Sequence, residues 1–212
     1  MSELVQKIVL SIFGNNPILA TIFISMIPII ELRGAIPFGS SEDIWGENAL
    51  SIVEASVYSV VGSIISAIII ILLLIPIFNL LKKTRIFSKV VEIFEEKFSK
   101  KSGEIAEESK NKTFKKWIGI MTFVAIPLPL TGVWTGSAVA VFLKMGFFKS
   151  FTAVSVGAII AASIMMIVSK SLGDSAIFVF YLFVIFFVVL IAFYVLKVLV
   201  KKSGKKNSEN NQ

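Results

Sequence analysis

Two charged side chains, Glu31 and Arg33, lie in an otherwise apolar stretch, IIELRGAIPF, at residues 29–38. A charge at the centre of a membrane helix costs about 2.5–3.5 kcal/mol on insertion scales, so such residues mark functional sites. Arg33 offers a permanently charged planar fork that fits phosphate or carboxylate groups. Glu31 is the natural proton carrier, because the chain contains no histidine. The two residues therefore indicate anion binding, proton exchange or both.

The backbone around this pair allows more than one interpretation. Residues two apart do not face each other on a helix, so we expect an unwound stretch in which Glu31 and Arg33 line one cavity. Gly34 and Pro37 would support that stretch, because glycine permits bends and proline removes a backbone donor. In the alternative interpretation the two charges form an ion pair, or lie near the outer surface and fix the tip of a hairpin.

A second interrupted apolar segment, residues 117–143, carries further candidates for the same site. The candidates form bends or have polar side chains, and they are Pro127, Pro129, Thr131, Gly132, Trp134 and Thr135. Trp134 could instead pack between helices. Glu54, which lies directly before the apolar residues 55–81, is either an interfacial residue or a second carboxylate of the cavity. Half-helices that begin at the two interruptions would offer backbone N–H groups to an anion.

The elements that must position these residues are membrane helices. The chain has 212 residues, of which 56% are hydrophobic and 17% charged, whereas soluble domains carry about 25% charged residues. Its apolar blocks are near the length of about 20 residues that crosses a bilayer. They are residues 17–39, 55–81, 117–143, 150–169 and 177–196. We predict an all-α polytopic membrane protein, with no enzymatic activity, cofactor or metal because cysteine and histidine are both absent.

The distribution of charge predicts the topology of the chain. Residues 82–116 carry eleven Lys and Arg against six Glu, and the tail at 197–212 carries five Lys. Residues 40–49 carry three acidic residues and no cation. The positive-inside rule therefore places the amphipathic, charged segment 82–116 and the tail in the cytoplasm, and residues 40–49 outside. We expect the tail to be disordered.

The lysines at 144 and 149 bear on the second interrupted segment. The positive-inside rule places these two lysines in the cytoplasm, like the other basic segments. They can lie there only if residues 117–143 are re-entrant, which means that the segment enters and leaves the membrane from the same side. For residues 17–39 the charges do not decide between a re-entrant segment and a full crossing. Residues 177–196 form the final transmembrane helix in this scheme, and they return the C-terminus to the cytoplasm.

Two pairs of segments resemble each other in the same order along the chain. The pairs are ISMIPIIELRG (24–34) with FVAIPLPLTG (123–132), and SVVGSIISAII (59–69) with SVGAIIAASIM (155–165). This alignment sets Pro28 opposite Pro127 and, with a gap of one residue in the second pair, Gly62 opposite Gly157. If residues 17–39 are also re-entrant, from the outside, the chain is an inverted-topology repeat, as in many transporters. We therefore predict one integral membrane domain over residues 1–212, with repeat halves at 15–81 and 117–172.

The motif ELRGAIP at 31–37, followed by PLPLTGVWTG at 127–136, resembles the family of small multidrug export proteins over residues 15–172. That family is similar to the DedA (VTT-domain) superfamily of membrane transporters and lipid scramblases. The resemblance implies paired re-entrant segments, each followed by a membrane span, with functional acidic and arginine residues at the hairpins. DedA proteins commonly place arginines in the second hairpin, whereas residues 117–143 contain none.

The matching positions are Glu31, Arg33, Gly34 and Pro37 in the first motif, and Pro127, Pro129, Thr131, Gly132, Trp134 and Gly136 in the second. We predict a secondary transporter or DedA-like lipid flippase, which moves an amphiphilic, anionic lipid phosphate with proton or sodium coupling. One alternative is a small-molecule or multidrug exporter, and another is a non-transporting membrane scaffold. The expected partners are membrane lipids and the substrate, without nucleic acid, in the plasma membrane. The sequence leaves a homo-oligomer open.

Overall fold

The computed structural model describes residues 2–81, 109–128 and 130–173, with five single residues between 178 and 193. All regular elements in these ranges are helical. Several sequence-based predictions lie outside the described residues: the site residue Pro129, residues 82–108 of the charged segment, most of the final apolar block at 177–196 and the tail at 197–212.

Eight α-helices and one short 3₁₀ turn make up the described ranges. The helices are α1 (Ser2–Phe13), α2 (Pro17–Met26), α3 (Glu31–Gly39), α4 (Glu42–Trp45), α5 (Ile52–Leu81), α6 (Ser109–Ala125), α7 (Val133–Phe142) and α8 (Phe147–Leu172), and the 3₁₀ turn spans Gly46–Asn48. The breaks between α2 and α3, and between α6 and α7, fall at the interruptions that the sequence predicts.

Two described helices are long and apolar enough to cross a membrane, namely Ile52–Phe78 of α5 and Phe147–Leu172 of α8. At 1.5 Å per residue each is about 40 Å long, more than the roughly 30 Å hydrocarbon core of a bilayer. The chain bends by 97° between helices α1 and α2, at residues 14–16. These two helices add a third membrane span only if the bent pair is counted as a single span. The chain is a membrane protein with an all-helical fold.

Three helices beside the two breaks are each too short to cross a bilayer. Helices α2, α3 and α7 have 10, 9 and 10 residues, so each is about 15 Å long, half the hydrocarbon thickness. Helix α2 begins with a capped turn: the Asn16 side chain accepts a hydrogen bond from the Leu19 N–H at 3.0 Å, and Pro17 takes the first helical position.

Helices α6 and α7 fold back on each other, so that both ends of this segment lie close together. Lys116 Nζ, midway along α6 and just before the apolar segment 117–143, donates a hydrogen bond to the Leu143 carbonyl, just after α7, at 3.1 Å. One residue further along α6, Trp117 Nε1 donates to Thr152 Oγ1 of α8 at 3.0 Å. The two ends of the apolar segment 117–143 and the start of α8 therefore lie at one end of the molecule.

Helices α2 and α3 fold back in the same way at the opposite end. Residues 14–15, which precede α2, share one cleft with residues 44–48, which follow α3. The Leu50 N–H, just before α5, donates to the Gly39 carbonyl at the end of α3, at 3.0 Å. The start of α5 and the end of α8 also line a common apolar groove, through Val53 and Ile167. Because α5 and α8 are therefore antiparallel, the two folded-back segments open toward opposite ends of this helix pair.

Each folded-back segment packs closely on the long helix that follows it. A Cβ atom on Gly62 of α5 would overlap the Ile22 carbonyl of α2. A Cβ atom on Gly157 of α8 would lie 2.6 Å from the Met121 carbonyl of α6. Both are contacts with backbone atoms, which cannot rotate away as a side chain can. Glycine is thus required at both helix crossings.

The main core cluster joins the two halves of the chain. Leu32 and Ile36 of α3 belong to the same buried cluster as Val124 of α6, Val133 of α7 and Val154 of α8. All five side chains are at most 2% exposed. This packing places the start of α3, and with it the two charged residues, against the break between α6 and α7.

Candidate functional site

The break between α2 and α3 has a strained backbone. Ile27 is extended, with φ −73° and ψ 127°, and the two residues with positive φ are Ile29 at 75° and Glu31 at 46°. Positive φ is unfavourable for any residue with a side chain and most of all for a β-branched one. Strain of this kind costs of order 1–3 kcal/mol per residue and clusters at functional sites. The break is therefore held in place by the contacts of the residues around it.

Glu31 and Arg33 are in direct contact. Arg33 Nη1 donates to Glu31 Oε2 at 2.9 Å. Both residues are buried: Arg33 is 1% exposed and Glu31 is 3% exposed. We expected an unwound stretch in which both side chains line one cavity, but residues 31–39 form helix α3 and the two side chains pair. Glu31 has positive φ at the first position of α3, and this turns its side chain toward Arg33. The structure thus has the ion pair of the alternative interpretation.

Arg33 also contacts the break between α6 and α7. Its Nη2 donates to the Thr131 carbonyl at 3.0 Å and to Thr131 Oγ1 at 3.2 Å, with a longer contact to the Ile126 carbonyl at 3.4 Å. Thr131 Oγ1 in turn donates to the Ile126 carbonyl at 2.7 Å or to the Leu128 carbonyl at 2.8 Å. Carbonyls beyond the end of a helix have no intrahelical donor. Arg33 and Thr131 satisfy them here.

Glu31 contacts the other side of the same break. Its Oε1 accepts a hydrogen bond from the Trp134 N–H, in the first turn of α7, at 3.1 Å. The N-cap residue of α7 is Gly132, which has no side chain to cap the helix. The carboxylate of Glu31 therefore supplies the cap from a residue 103 positions away in the sequence. A negative charge at this position is also favoured by the helix dipole.

The indole of Trp134 forms a further contact between the two breaks. Its Nε1 donates to the Met26 carbonyl, the last residue of α2, at 3.0 Å. Trp134 is 37% exposed, so this hydrogen bond lies nearer the surface of the protein than the buried ion pair does. Thr135 does not reach the first break in the same way. Its Oγ1 donates to the Leu130 carbonyl at 2.7 Å and so closes the turn before α7.

The remaining predicted residues divide into three groups. Gly34 and Pro37 are buried inside α3, behind the ion pair. Pro127 is half-buried in the turn between α6 and α7. Glu54 is apart from the site and exposed, because it forms a capping box at the start of α5: Glu54 Oε2 accepts from the Ser51 N–H at 2.9 Å, and the Glu54 N–H donates to Ser51 Oγ at 3.2 Å.

The N–H of Trp134, at the start of α7, is one of the backbone donors expected where a half-helix begins. Sequence reasoning missed the backbone carbonyls of Met26 and Ile126, at the ends of α2 and α6. The sequence signal for these carbonyls is the proline that follows each helix end, since proline indicates where a helix stops. Within the described ranges, no group of three or more His, Cys, Asp or Glu side chains is placed to hold a metal ion.

The site therefore combines one carboxylate, one guanidinium and the polar backbone groups of two broken helices. The ion pair can bind an oxyanion through Arg33, and it can hold or release a proton at Glu31. Neither a curated protein nor a solved structure is significantly similar to the chain. One family model does match it, over residues 31–164, more than half of its length. The match begins at Glu31, directly after the break between α2 and α3, and includes the break between α6 and α7, and the chain belongs to the family described as "Putative small multi-drug export protein".

Proposed function

We propose that this protein is a secondary transporter that carries an amphiphilic anion across the membrane past the Glu31–Arg33 pair. The observation that carries the proposal is the position of the pair, which is buried and bonded to the break between α6 and α7 through Thr131 and Trp134. Charged side chains buried in a membrane protein mark substrate and ion pathways. Many transporters build their substrate sites from broken helices of this kind.

In this proposal both broken segments are re-entrant. Helices α2 and α3 enter from the outside, and α6 and α7 enter from the cytoplasm. The cleft shared by residues 14–15 and 44–48 and the bond between Lys116 and Leu143 support it, because each brings together the two ends of one segment. Residues 144–149 and the C-terminus are then cytoplasmic, in a multi-pass protein of the plasma membrane.

The proposal also includes an inverted repeat. The alignment that sets Pro28 opposite Pro127, extended by two residues before position 24, sets Ile22 opposite Met121, and the second aligned pair sets Gly62 opposite Gly157. The structure contains both the Gly62–Ile22 and the Gly157–Met121 contact. Two equivalent backbone contacts in the two halves support a common origin of those halves. Opposite orientation in the membrane would then follow from the opposite ends at which the two segments open.

The substrate class follows from the charges at the site. Residues 117–143 contain no arginine, so recognition of an anion depends on the guanidinium of Arg33. A phosphate group on an amphiphile matches its planar fork, as in a DedA-like lipid flippase. Coupling to protons or sodium would pass through Glu31, and membrane lipids surround the exposed apolar faces of α5 and α8. Whether one chain or a homo-oligomer carries out the transport does not alter this chemistry.

The family description favours a second candidate, the export of small molecules. A cationic amphiphile would bind the Glu31 carboxylate, and Arg33 would serve as the counter-ion of the empty site. Both candidates are transport without covalent chemistry, so we propose that the protein is not an enzyme. A membrane scaffold that moves nothing is the remaining alternative.

Transport by purified protein in liposomes tests these functions. A fluorescent phosphatidylglycerol would report lipid movement, through quenching by an impermeant reductant, and ethidium would report cation transport in the same vesicles. We expect lipid movement that depends on a pH gradient. Replacing Arg33→Lys keeps the charge but removes the bidentate fork, so the rate should fall about tenfold or more, equivalent to roughly 1.4 kcal/mol.

The variants Glu54→Gln and Lys170→Gln are matched controls, because both residues are charged, exposed and distant from the ion pair. They should move lipid at the wild-type rate. Movement of ethidium without movement of lipid would favour the exporter. If neither probe moves in vesicles that contain folded protein, the transport proposal is wrong and the scaffold is favoured.

A further inference from the structure

The first turn of α7 already holds an anion, the carboxylate of Glu31. Oε1 accepts from the Trp134 N–H at 3.1 Å, and the N-cap residue Gly132 offers no side chain of its own. The N-terminus of a helix attracts anions, because its N–H groups are unpaired and the dipole is positive there. Glu31 thus occupies the position that an oxyanion of a substrate would take at this helix.

The guanidinium of Arg33 lies against the same carboxylate and retains an unused donor. Nη1 is bonded to Glu31 Oε2, and Nη2 to Thr131. Arg33 Nε has no hydrogen-bond partner within the described part of the chain, although the residue is only 1% exposed. A buried donor without a partner is unfavourable by about 1–3 kcal/mol. The site therefore has one donor, Arg33 Nε, beyond those that Glu31 and Thr131 use.

The balance of charge links anion binding to a proton. With Glu31 ionised, the pair is neutral, and a substrate with one negative charge would leave an uncompensated charge in a buried site. A proton bound to the Glu31 carboxylate removes its charge and weakens its bonds to Arg33 and to the Trp134 N–H. The substrate oxyanion then takes the same donors, and the site is neutral again.

Few other titratable groups face α3 from the helices packed against it. Helix α5 contributes Glu54, which is exposed, and Tyr58, and α8 contributes Lys149 and Lys170, which are both exposed. Helices α2 and α7 contain no titratable side chain, and the lysines of α6 lie in its first half, whereas α6 contacts α3 near its end, at Val124. Glu31 is therefore the group whose protonation changes the charge beside Arg33.

We infer that the Glu31 carboxylate is a tethered competitor for an oxyanion site formed by Arg33 and the first turn of α7, so that each anion binds with uptake of one proton. The ligand class is a singly charged oxyanion, such as a phosphodiester, either free or as a lipid headgroup. This inference rests on the proposed transport function and gives it a mechanism of coupling. Proton and substrate anion enter the site together, and their charges cancel.

Calorimetry on the purified full-length protein in detergent tests the inference directly. Two probes carry one negative charge that does not titrate near neutral pH, dimethyl phosphate for the free anion and dihexanoyl phosphatidylglycerol for the lipid. Titrations in buffers with different ionisation enthalpies count the protons taken up per anion. We expect one proton, and an affinity that falls about tenfold for each pH unit of increase where free Glu31 is ionised.

The variant Glu31→Gln removes the competitor. It should bind both probes without proton uptake and with the same affinity at each pH, and either probe should raise its melting temperature more than that of the wild type. Glu54→Gln should keep the uptake of one proton. If only the lipid probe behaves in this way, the ligand is a headgroup with its acyl chains, and if both do, the phosphodiester suffices.

Two outcomes would overturn the inference, and they differ in what they say about the function. Wild-type protein that binds a probe without proton uptake contradicts the tethered competitor but leaves anion transport standing. This measurement needs no variant, so it holds even if Glu31→Gln does not fold. Wild-type protein that binds neither probe at any pH contradicts both the inference and the proposed anionic substrate.

Discussion

Gly132 lies so close to Glu31 that a Cβ atom at position 132 would overlap the Glu31 carboxylate. The glycine ends the break between α6 and α7, and the carboxylate comes from the start of α3. Their contact is one of those that join the two broken segments, beside the bonds from Arg33 to Thr131 and from Trp134 to Met26. The hydrogen bond from the Trp134 N–H to Glu31 depends on it, because a bulkier residue at position 132 would push the carboxylate away from α7.

Gly132→Ala should therefore separate Glu31 from α7. Overpacking of a buried position typically costs 1–3 kcal/mol, and we expect a loss of stability in this range together with loss of lipid movement. Gly119→Ala is the matched control, because a Cβ atom at Gly119 meets nothing within 4 Å. Thermal unfolding in detergent and the liposome assay would measure both effects. Wild-type stability and transport in Gly132→Ala would show that the contact is unimportant.

Stability measurements on Glu31 and Arg33 should show strong coupling between them. Replacing one residue of a buried ion pair leaves the other charge unpaired and costs about 3–5 kcal/mol. We expect each of Glu31→Gln and Arg33→Gln to melt well below the wild type, and the double variant to melt above both. Thermal unfolding of the four proteins completes the cycle.

Transport by the same four proteins separates a structural role from a functional one. The double variant recovers stability but has neither the fork nor the carboxylate, so we expect it to remain inactive. If the double variant of Glu31 and Arg33 moves lipid at the wild-type rate, the pair is structural and the proposed site is wrong.

The sequence predicted the two breaks and their neighbouring residues, but not how the breaks contact each other. Pro28 and Pro127 mark the ends of α2 and α6, and local chemistry determines such ends. The bond between Glu31 and Trp134 joins residues 103 positions apart, and only the packing of α3 against α7 and α8 creates it. The pairing of Glu31 with Arg33 was only the alternative interpretation for a related reason, because it needs the positive φ of Glu31.

Element boundaries show the same division between local and tertiary causes. Helix α6 begins at Ser109, inside the segment 82–116 that hydropathy assigned to a loop. Hydropathy predicts which residues lie in the membrane, but it does not predict where a helix begins. Because lysine is a good helix former, the helix extends beyond the apolar segment into the lysine-rich residues before it. The role of Glu54 was also open in the sequence. Ser51 and Glu54 have the spacing of a capping box, a local pattern that would have predicted the contacts found.

The orientation of α6 and α7 predicts where single cysteines can be labelled. The chain has no cysteine, so one introduced at Lys149 is the only target. Because Lys116 and Leu143 are in contact, we expect position 149 to lie on the same side as the basic segment, in the cytoplasm. An impermeant thiol reagent should label it only in lysed cells. A cysteine at the exposed Glu47 should be labelled in intact cells, and the opposite pattern would contradict the re-entrant arrangement.

The repeat predicts matched effects at the two glycine crossings. In Gly62→Ala the new methyl group would overlap the Ile22 carbonyl, and in Gly157→Ala it would lie 2.6 Å from the Met121 carbonyl. Alanine favours a helix by about 1 kcal/mol over glycine, but overpacking against a rigid backbone costs about 1–3 kcal/mol. We expect both variants to lose stability to a similar extent, because the two contacts are equivalent in the repeat.

Thermal unfolding in detergent would measure this loss for the two variants beside Gly119→Ala. The control places the same methyl group on an exposed face of α6, so its melting temperature should equal or slightly exceed that of the wild type. A large loss in Gly157→Ala with none in Gly62→Ala would show that α2 can shift on α5 while α6 cannot shift on α8. The two halves would then differ in the contact that most directly supports the repeat, and the inverted-repeat proposal would have to be abandoned.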